Sequence, residues 1–362
     1  MRKLGISIYP EHSTREKDKE YISLAAKYGF KRIFTCLLSV QGSKEAIIEE
    51  FTDIITHARN EGMEVILDVA PHVFPTLGAS YDNLEVFAQM GATGIRLDEG
   101  FGGQKEALMT HNPYGLKIEI NISNGTKYLE QILSYGPNRD TLVGCHNFYP
   151  QEYTGLSYKH FVETSELFRK HNIRVAAFVS SKAATYGPWP VSDGLCTLEQ
   201  HRTLPIVTQA KHLFATDLVD DVIIGNAYAS EEELAALSKL NPNKLSFRVN
   251  MNKEASDLEK LIVEKEIHFN RGDVSEYLIR STQSRVKYKT EAFPKHNNYD
   301  IQKGDVLMGN NDFGQYKGEL QIARLPMKND GRKNVIGRIV EEEVFLLDYI
   351  KPWDYFEMVI EK

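Results

Sequence analysis

Two stretches of the sequence, VILDVAPH at residues 65–72 and GIRLDEGF at residues 94–101, each end a short apolar run at an aspartate. The runs have the length and composition of buried β-strands, which places Asp68 and Asp98 at the carboxyl ends of strands. In a (β/α)8 barrel the carboxyl ends of all strands meet at one mouth, where active sites are built. The two stretches therefore predict a barrel enzyme with an acidic site.

The same pattern recurs along the N-terminal two thirds of the chain. Strand-like runs alternate with amphipathic stretches such as residues 15–29 and 43–62, which have helical spacing and a glycine at the end. Eight such runs are the number that a closed parallel (β/α)8 or TIM barrel needs. The predicted strands are Leu4–Tyr9, Arg32–Leu38, Glu64–Val69, Gly94–Asp98, Lys117–Ile122, Leu142–Phe148, Arg174–Ser180 and Asp221–Gly225.

The pattern changes after residue 245, where short β-type runs are divided by turn signals without long helices between them. This is typical of a separate, mainly β domain, either a small barrel or a sandwich. We therefore predict an α/β protein with a TIM barrel at residues 1–240 and a β domain at residues 241–362. A long loop is expected at 181–202, because glycines and prolines interrupt the alternation there.

Composition limits the possible partners. The net charge of −7 is spread along 362 residues without the basic stripe that nucleic-acid binding requires. The first residues, MRKLGISIYPEHS, lack the apolar stretch of a signal peptide, and no run has the length of a membrane span. We expect a cytoplasmic protein with no nucleic-acid or membrane partner; nothing in the sequence indicates an oligomeric state.

Neither a metal nor another cofactor is predicted. Asp68, His72 and His146 could surround a divalent ion, but the sequence has no HxH or HExxH motif. The glycine-rich segment at 98–103 lacks the lysine and the spacing of a P-loop. The cysteines lie far apart and have no CxxC spacing: Cys36, Cys145 and Cys196.

Alternation along a strand distinguishes the polar residues of GIRLDEGF. Arg96 and Asp98 share one face, which we expect to point into the barrel. Arg96 could then orient Asp98 or bind an anionic substrate, and a structural ion pair is the alternative. Glu99 falls on the opposite face, although it could still reach the mouth if the strand has already ended.

Two further carboxylates are candidates for catalysis. Asp68 comes from a neighbouring strand, and two close carboxylates can divide the work of acid and of base or nucleophile. Glu11 lies two residues beyond the first strand. Capping of a loop is the alternative for Asp68, and a solvated loop position for Glu11. The predicted catalytic residues are thus Asp98, Asp68 and Glu11.

Uncharged polar residues at strand ends are predicted to bind the substrate. Asn121 in IEINIS and the pair His146 and Asn147 in GCHNFYP suit hydrogen bonds to sugar hydroxyls or to an acetamido group. A structural role is the alternative for His146. We add Tyr9 and Arg96 to these predicted contacts.

Several motifs occur in order over nearly the whole chain: GISIYPEHS, DVAP, GIRLDEGF, HNFYPQEYTGLS and KGDVLMGNNDFGQYKGELQI. Together they resemble the MupG family of 6-phospho-N-acetylmuramidases. The resemblance implies a TIM barrel followed by a cyclophilin-like β domain. It also implies hydrolysis of the β-1,4 bond between N-acetylmuramic acid 6-phosphate and N-acetylglucosamine, a cell-wall fragment taken up and phosphorylated before cleavage.

A phosphorylated disaccharide needs a cationic or hydrogen-bonding pocket. The NNDFGQYKG loop of the second domain could form one wall of the site, and an ordinary hairpin turn is the alternative. The reaction could use two carboxylates or the substrate's own 2-acetamido group. Competing functions are a barrel hydrolase or lyase for another phosphorylated sugar, and a non-catalytic sugar-phosphate-binding protein. Candidates for phosphate binding are Ser181, Lys182, Arg202, Asn310, Asn311 and Lys317.

Overall fold

The computed structural model describes residues 1–37, 43–189 and 193–361. Two compact units divide the chain, Met1–Lys239 and Leu240–Lys362. Each unit has its own sheet, and the fold is α/β with a closed parallel barrel first and a mixed sheet second. The fold class expected from the sequence is thus confirmed.

Eight parallel strands form the barrel of the first unit. They follow one another in sequence order around the barrel, and the eighth pairs with the first. The alternating apolar runs and helices predicted this arrangement. The strands are β1 Lys3–Ile8, β2 Arg32–Cys36, β3 Glu64–Val69, β4 Gly94–Leu97, β5 Lys117–Asn121, β6 Leu142–Cys145, β7 Val175–Val179 and β8 Asp221–Ile224.

Helices between these strands cover the barrel with their apolar faces. In the second helix the Ser43 hydroxyl caps the N-terminus by accepting the Ala46 N–H at 3.3 Å, and one face, including Phe51 and Ile55, is buried. Two 3-10 helices lie at Pro10–His12 and Glu199–His201. The α-helices are α1 Arg15–Lys27, α2 Lys44–Asn60, α3 Phe74–Leu77, α4 Glu85–Gln89, α5 Gln104–Met109, α6 Tyr128–Ser134, α7 Tyr158–Arg169, α8 Ile206–Ala215 and α9 Glu231–Ser238.

Seven of the eight barrel strands end one to three residues earlier than the sequence predicted, and only β3 ends at the predicted residue. β4 stops at Leu97 instead of Asp98, and β6 stops at Cys145 instead of Phe148. The chain turns after β4 through Gly102 and Gly103, which have φ of +98° and +97°. Asp98 is therefore the first residue of a loop. The predicted end of the second strand, Leu38, lies outside the described residues.

The second unit is built around a seven-stranded sheet in the order β10-β15-β9-β14-β12-β13-β11. Neighbouring strands in this sheet are antiparallel, except for the parallel pair β15 and β9. The helices are α10 Asp257–Lys265 and α11 Gln283–Lys287, with 3-10 helices at Asn311–Tyr316 and Glu341–Tyr349. The strands are β9 Leu245–Met251, β10 His268–Phe269, β11 Leu278–Ser281, β12 Asp305–Gly309, β13 Leu320–Ala323, β14 Lys333–Ile339 and β15 Tyr355–Ile360.

This sheet curls until its two outer strands lie side by side. The Arg271 amide, just after β10, donates to the Arg280 carbonyl of β11 at 3.2 Å. Phe247, Val306 and Leu320 are among the apolar side chains buried on the inner face. The mainly β second domain expected from the sequence is thus present as a nearly closed sheet.

Candidate active site

The strand register brings the polar side chains of β3, β4 and β5 together at the barrel mouth. Asp68 of β3 lies beside Arg96 of β4, and Arg96 lies beside Glu119 of β5. Arg96 and Asp98 lie on the same side, because Arg96 Nη1 is 3.2 Å from Asp98 Oδ1. That side is the barrel interior, because the Arg96 guanidinium bonds to side chains that come from other strands. Alternation of side chains along the strand predicted this direction.

Arg96 is the centre of this cluster. Its Nη1 lies 2.6 Å from Asp68 Oδ1 and 3.2 Å from Asp98 Oδ1, while Nη2 donates to the Asn147 side-chain oxygen. Only 3% of the Arg96 side chain is exposed. Bonds at both Nη atoms fix the orientation of the guanidinium, which therefore presents a donor to Asp98 in a set position.

The two aspartates of this cluster differ in exposure. The Asp68 side chain is 6% exposed, whereas that of Asp98 is 38% exposed. Burial raises the pKa of Asp68 to about 6, even though the Arg96 charge acts in the opposite direction. Asp98 can therefore contact a ligand directly, whereas Asp68 lies below it.

A cavity of about 430 Å³ opens beside Asp98. Glu99 also lines it, because β4 ends at Leu97 and the chain no longer alternates between two faces there. Alternation along the strand predicts Glu99 on the opposite face and leaves its reach to the mouth open. The lining is completed by the β4–α5 and β5–α6 loops and the start of α6: Leu97, Gly100, Gly102, Asn121, Asn124, Thr126, Lys127, Tyr128 and Gln131.

Two family models match the sequence, the N-terminal and the C-terminal models of 6-phospho-N-acetylmuramidase, over residues 4–239 and 245–359. The chain belongs to the 6-phospho-N-acetylmuramidase family. It is therefore a glycosidase, and the resemblance inferred from the sequence motifs is confirmed.

Two solved structures are similar over almost the entire length of this glycosidase. An uncharacterized B. cereus protein is 57% identical with a TM-score of 0.93, and the alignment covers 99% of both chains. A conserved Enterococcus faecalis protein of unknown function is 26% identical with a TM-score of 0.76, over 99% of this chain and 96% of the other. No curated protein sequence matches the chain.

Asn121 and Asn147, both predicted to bind substrate, lie at the mouth. Asn121 lines the cavity and its side-chain oxygen accepts the Ser123 N–H at 2.9 Å. The Asn147 side-chain oxygen accepts from Arg96, and the Asn147 backbone N–H donates to Ser123 Oγ at 2.9 Å. Ser123 thus links two loops of the mouth. Sequence patterns do not single out Ser123, nor Lys127 and Tyr128 of the cavity lining, although all three follow the polar end of the fifth strand.

His146 lies beneath the mouth and has no exposed surface. Its Nδ1 is 3.2 Å from Ser123 Oγ and its Nε2 is 2.9 Å from Ser165 Oγ of α7. Burial lowers the pKa of His146 to about 3, so the ring is neutral. The geometry gives His146 a positioning role through Ser123.

Tyr9 and Glu11 follow β1. Tyr9 is 3% exposed, its hydroxyl donates to the Gly225 carbonyl, and burial raises its pKa well above the usual value. It therefore joins the ends of β1 and β8. Glu11 is exposed within the 3-10 helix Pro10–His12. Its catalytic role stays a prediction.

The side chains of Ser181 and Arg202 form hydrogen bonds to other residues of the chain. The Ser181 hydroxyl donates to Glu233 Oε2 at 2.5 Å and accepts the Ala184 N–H at 3.0 Å. Arg202 forms two 2.7 Å bonds to Glu199 and donates to nearby backbone carbonyls, including that of Tyr149. These bonds occupy the groups that were expected to bind phosphate, and Lys182 likewise donates to the Thr203 carbonyl.

Asn310, Asn311 and Lys317 belong to the second unit. Asn310 is fully buried; its amide nitrogen donates to the Gly331 carbonyl at 2.9 Å and its side-chain oxygen accepts the Asp312 N–H at 3.1 Å. The Asn311 side-chain oxygen accepts the Phe293 N–H at 2.9 Å. Both asparagines thus shape their loop, a 3-10 segment that connects the antiparallel neighbours β12 and β13, so the hairpin considered as an alternative stays open. Lys317 ends this segment and is half-buried.

Within residues 1–37, 43–189 and 193–361, no three His, Cys, Asp or Glu side chains gather in a way that could hold a metal ion. Over the same ranges no helix combines the length and apolar character needed to cross a bilayer.

Proposed function

We propose that this glycosidase hydrolyses the β-1,4 bond between N-acetylmuramic acid 6-phosphate and N-acetylglucosamine in the recycling of cell-wall fragments. The observation that carries the proposal is the Arg96-held carboxylate Asp98, which lines a cavity at the mouth of a barrel belonging to this family. A phosphorylated fragment of this kind arises after uptake into the cell, which places the reaction in the cytoplasm.

Asp98 is proposed as the carboxylate that contacts the reacting sugar. It is exposed to the cavity while its Oδ1 stays bonded to Arg96. A direct catalytic role for Asp68 would require substrate to reach a side chain that is only 6% exposed. We therefore assign Asp68 and Arg96 to positioning: the buried pair fixes the direction of Asp98.

Glu99 is proposed as the acid and base. It is exposed, follows Asp98 directly and lines the same cavity, so one ligand can contact both carboxyl groups. Glycoside hydrolysis needs a group that protonates the leaving oxygen and a second that stabilises the positive charge at the anomeric carbon. Glu99 meets the first need and Asp98 the second.

The N-acetyl group that the family's substrate carries completes the proposed reaction. Glu99 donates its proton to the leaving oxygen as the C1–O bond breaks, and the acetamido carbonyl oxygen bonds to C1. Asp98 accepts the acetamido N–H and offsets the positive charge of the new ring. Water then attacks C1, gives its proton to the Glu99 carboxylate and opens the ring, so the anomeric configuration is retained.

Turnover of the purified protein tests this function. The phosphorylated disaccharide is expected to be cleaved far faster than its unphosphorylated counterpart, with a retained anomer detected by proton NMR. Asp98→Asn should lower kcat by about 10²–10⁴-fold without loss of folding, as expected for a group acting at the reacting centre. Asp140→Asn, at an exposed position in a loop, is the matched control. No cleavage of the phosphorylated disaccharide, or normal turnover by Asp98→Asn, would refute the proposal.

A further inference from the structure

The second unit carries a group of cations around one buried carboxylate. Glu319, with no exposed side-chain surface, accepts from Arg280 Nε at 2.9 Å and from Arg285 Nη1 at 2.8 Å. Its Oε1 also accepts from the Gln321 side chain at 2.9 Å. One carboxylate thus holds two guanidinium groups in fixed positions, and both remain about one quarter exposed.

Two aromatic rings extend this group. Phe313 and Tyr316, here called the aromatic pair, have ring centroids 5.3 Å apart. The Arg285 guanidinium lies 5.2 Å from the Tyr316 centroid, and Lys333 Nζ lies 5.8 Å from that of Phe313. Arg332 lies over the Phe313 ring as well, at 4.9 Å. We call the four cations the basic cluster: Arg280, Arg285, Arg332 and Lys333.

Among the described residues of the second unit, the carboxylates do not balance all the charges of the basic cluster. Glu319 compensates one cation, and Asp330 compensates Arg332 through a 2.9 Å bond to its Nε. The carboxylates that flank the cluster, Asp273 and Asp312, each have a cation of their own, in the pairs Arg271–Asp273 and Lys295–Asp312. Two positive charges therefore remain for an external anion.

Lys333 and Gln321 are the groups with unused bonding capacity. Within the part of the chain that the structure describes, Lys333 Nζ has no carboxylate or hydrogen-bond partner. Burial lowers its pKa, although the Asp330 charge acts in the opposite direction. Gln321 is 5% exposed and its Oε1 also has no partner among the described residues. A half-buried ammonium group and a buried acceptor are costly to leave unbonded. A ligand that supplies both an anion and hydroxyl groups would satisfy them.

We propose that the basic cluster and the aromatic pair form a binding site for a phosphorylated sugar on the C-terminal domain. Arg280, Arg285 and Lys333 hold the phosphoryl oxygens, because guanidinium and ammonium groups are the usual partners of phosphate. The apolar face of the sugar ring lies against the aromatic pair. The choice of a sugar as the carrier of the phosphate rests on the proposed function, whereas anion binding follows from the unbalanced charge.

Calorimetric titration of the full-length protein tests this site. The two ligands are N-acetylmuramic acid 6-phosphate and unphosphorylated N-acetylmuramic acid. Lys333→Met keeps the aliphatic part of the side chain and leaves no carboxylate without a partner, so folding should be unaffected. We expect it to weaken binding of the phosphorylated sugar about tenfold or more, as the loss of a charge-assisted bond predicts, with little effect on the unphosphorylated sugar. Arg285→Met should act in the same direction.

The control is Lys328→Met, which removes an exposed lysine of the same domain paired with Asp300. Wild-type affinity for the phosphorylated sugar in both Lys333→Met and Arg285→Met would overturn the site, even if the protein cleaves the disaccharide normally. Loss of affinity in these variants of a protein that cleaves no disaccharide would support the site and refute only the proposed function.

Discussion

Asp98 and Glu99 are consecutive residues, and we expect their substitution to lower the rate of cleavage in different ways. Glu99→Gln removes the proton donor but keeps the shape of the side chain. Cleavage of the natural disaccharide should fall by about 10²–10⁴-fold. A substrate with a nitrophenyl leaving group should lose much less, because that group departs without protonation.

This comparison is measured as kcat for the two substrates in the wild type, in Glu99→Gln and in the exposed helix variant Glu130→Gln. Asp98→Asn should slow both substrates alike, since its charge acts on the sugar and not on the leaving group. An equal loss with both substrates in Glu99→Gln would show that Glu99 is not the proton donor.

Asp68 gives the barrel a characteristic dependence of stability on pH. Burial raises its pKa from 3.8 to about 6, so the folded state binds the proton more tightly than the unfolded chain does. The stability contributed by this group is fully present below about pH 4 and is lost as the pH rises through about 6.

Substitution with asparagine should remove this dependence, while Arg96 keeps Asp98 as a partner. Between pH 4 and pH 7 the wild type should lose on the order of 1–3 kcal/mol of unfolding free energy relative to Asp68→Asn. Chemical denaturation of both proteins at several pH values measures it. A difference that stays constant or moves in favour of the wild type would contradict the raised pKa.

At the scale of the element, the position of β4 decides where the site forms. Gly94 begins β4 and lies on the same side as Arg96. A Cβ there would lie 2.6 Å from the Lys117 carbonyl oxygen of β5 and 2.9 Å from the Ile66 side chain of β3. Backbone cannot yield without moving a strand, so the absence of a side chain lets three strands approach closely.

Gly94→Ala should therefore both destabilise the barrel, by about 1–3 kcal/mol, and lower kcat by about tenfold or more, because Arg96 and Asp98 move with the strand. Thermal unfolding and steady-state kinetics measure the two effects. Gly115→Ala is the control: its φ of +70° is strained for alanine, but nothing lies within 4 Å of the new Cβ. Unchanged kcat in Gly94→Ala would show that the site does not depend on the placement of this strand.

At the scale of the whole molecule, the second unit has an apolar core of its own. The large apolar cluster of the second unit, from Phe247 to Met358, belongs entirely to Leu240–Lys362, and the sheet around it is nearly closed by its own strands. A unit with its own core and paired strands can fold alone. We expect a fragment of residues 240–362 to be soluble and to unfold cooperatively.

Circular dichroism during thermal unfolding measures this property, with the full-length protein for comparison. The fragment should keep a β-type spectrum and a single transition. A fragment that lacks ordered structure would show that the second unit depends on the first for folding.

The sequence alone determined the barrel, because strand and helix patterns are local. The runs ending at Asp68 and Asp98 predicted two strands, and alternation along β4 placed Arg96 and Asp98 on one side. The mainly β second unit was equally visible in its short strands. Motifs spread over the chain also indicated the family. Their order and spacing are visible in the sequence itself, without any knowledge of tertiary contacts.

Tertiary structure decided which polar residues at the mouth are open to a ligand. Burial depends on neighbours that are distant in sequence: His146 is covered because Ser165 of α7 lies against it, and Asp68 is covered while Asp98 is not. Glu99 lines the cavity because β4 ends at Leu97, a point set by the turn that follows. Strand periodicity fixes the direction of a side chain, but exposure and bonding depend on the register and packing of elements that only the folded chain brings together.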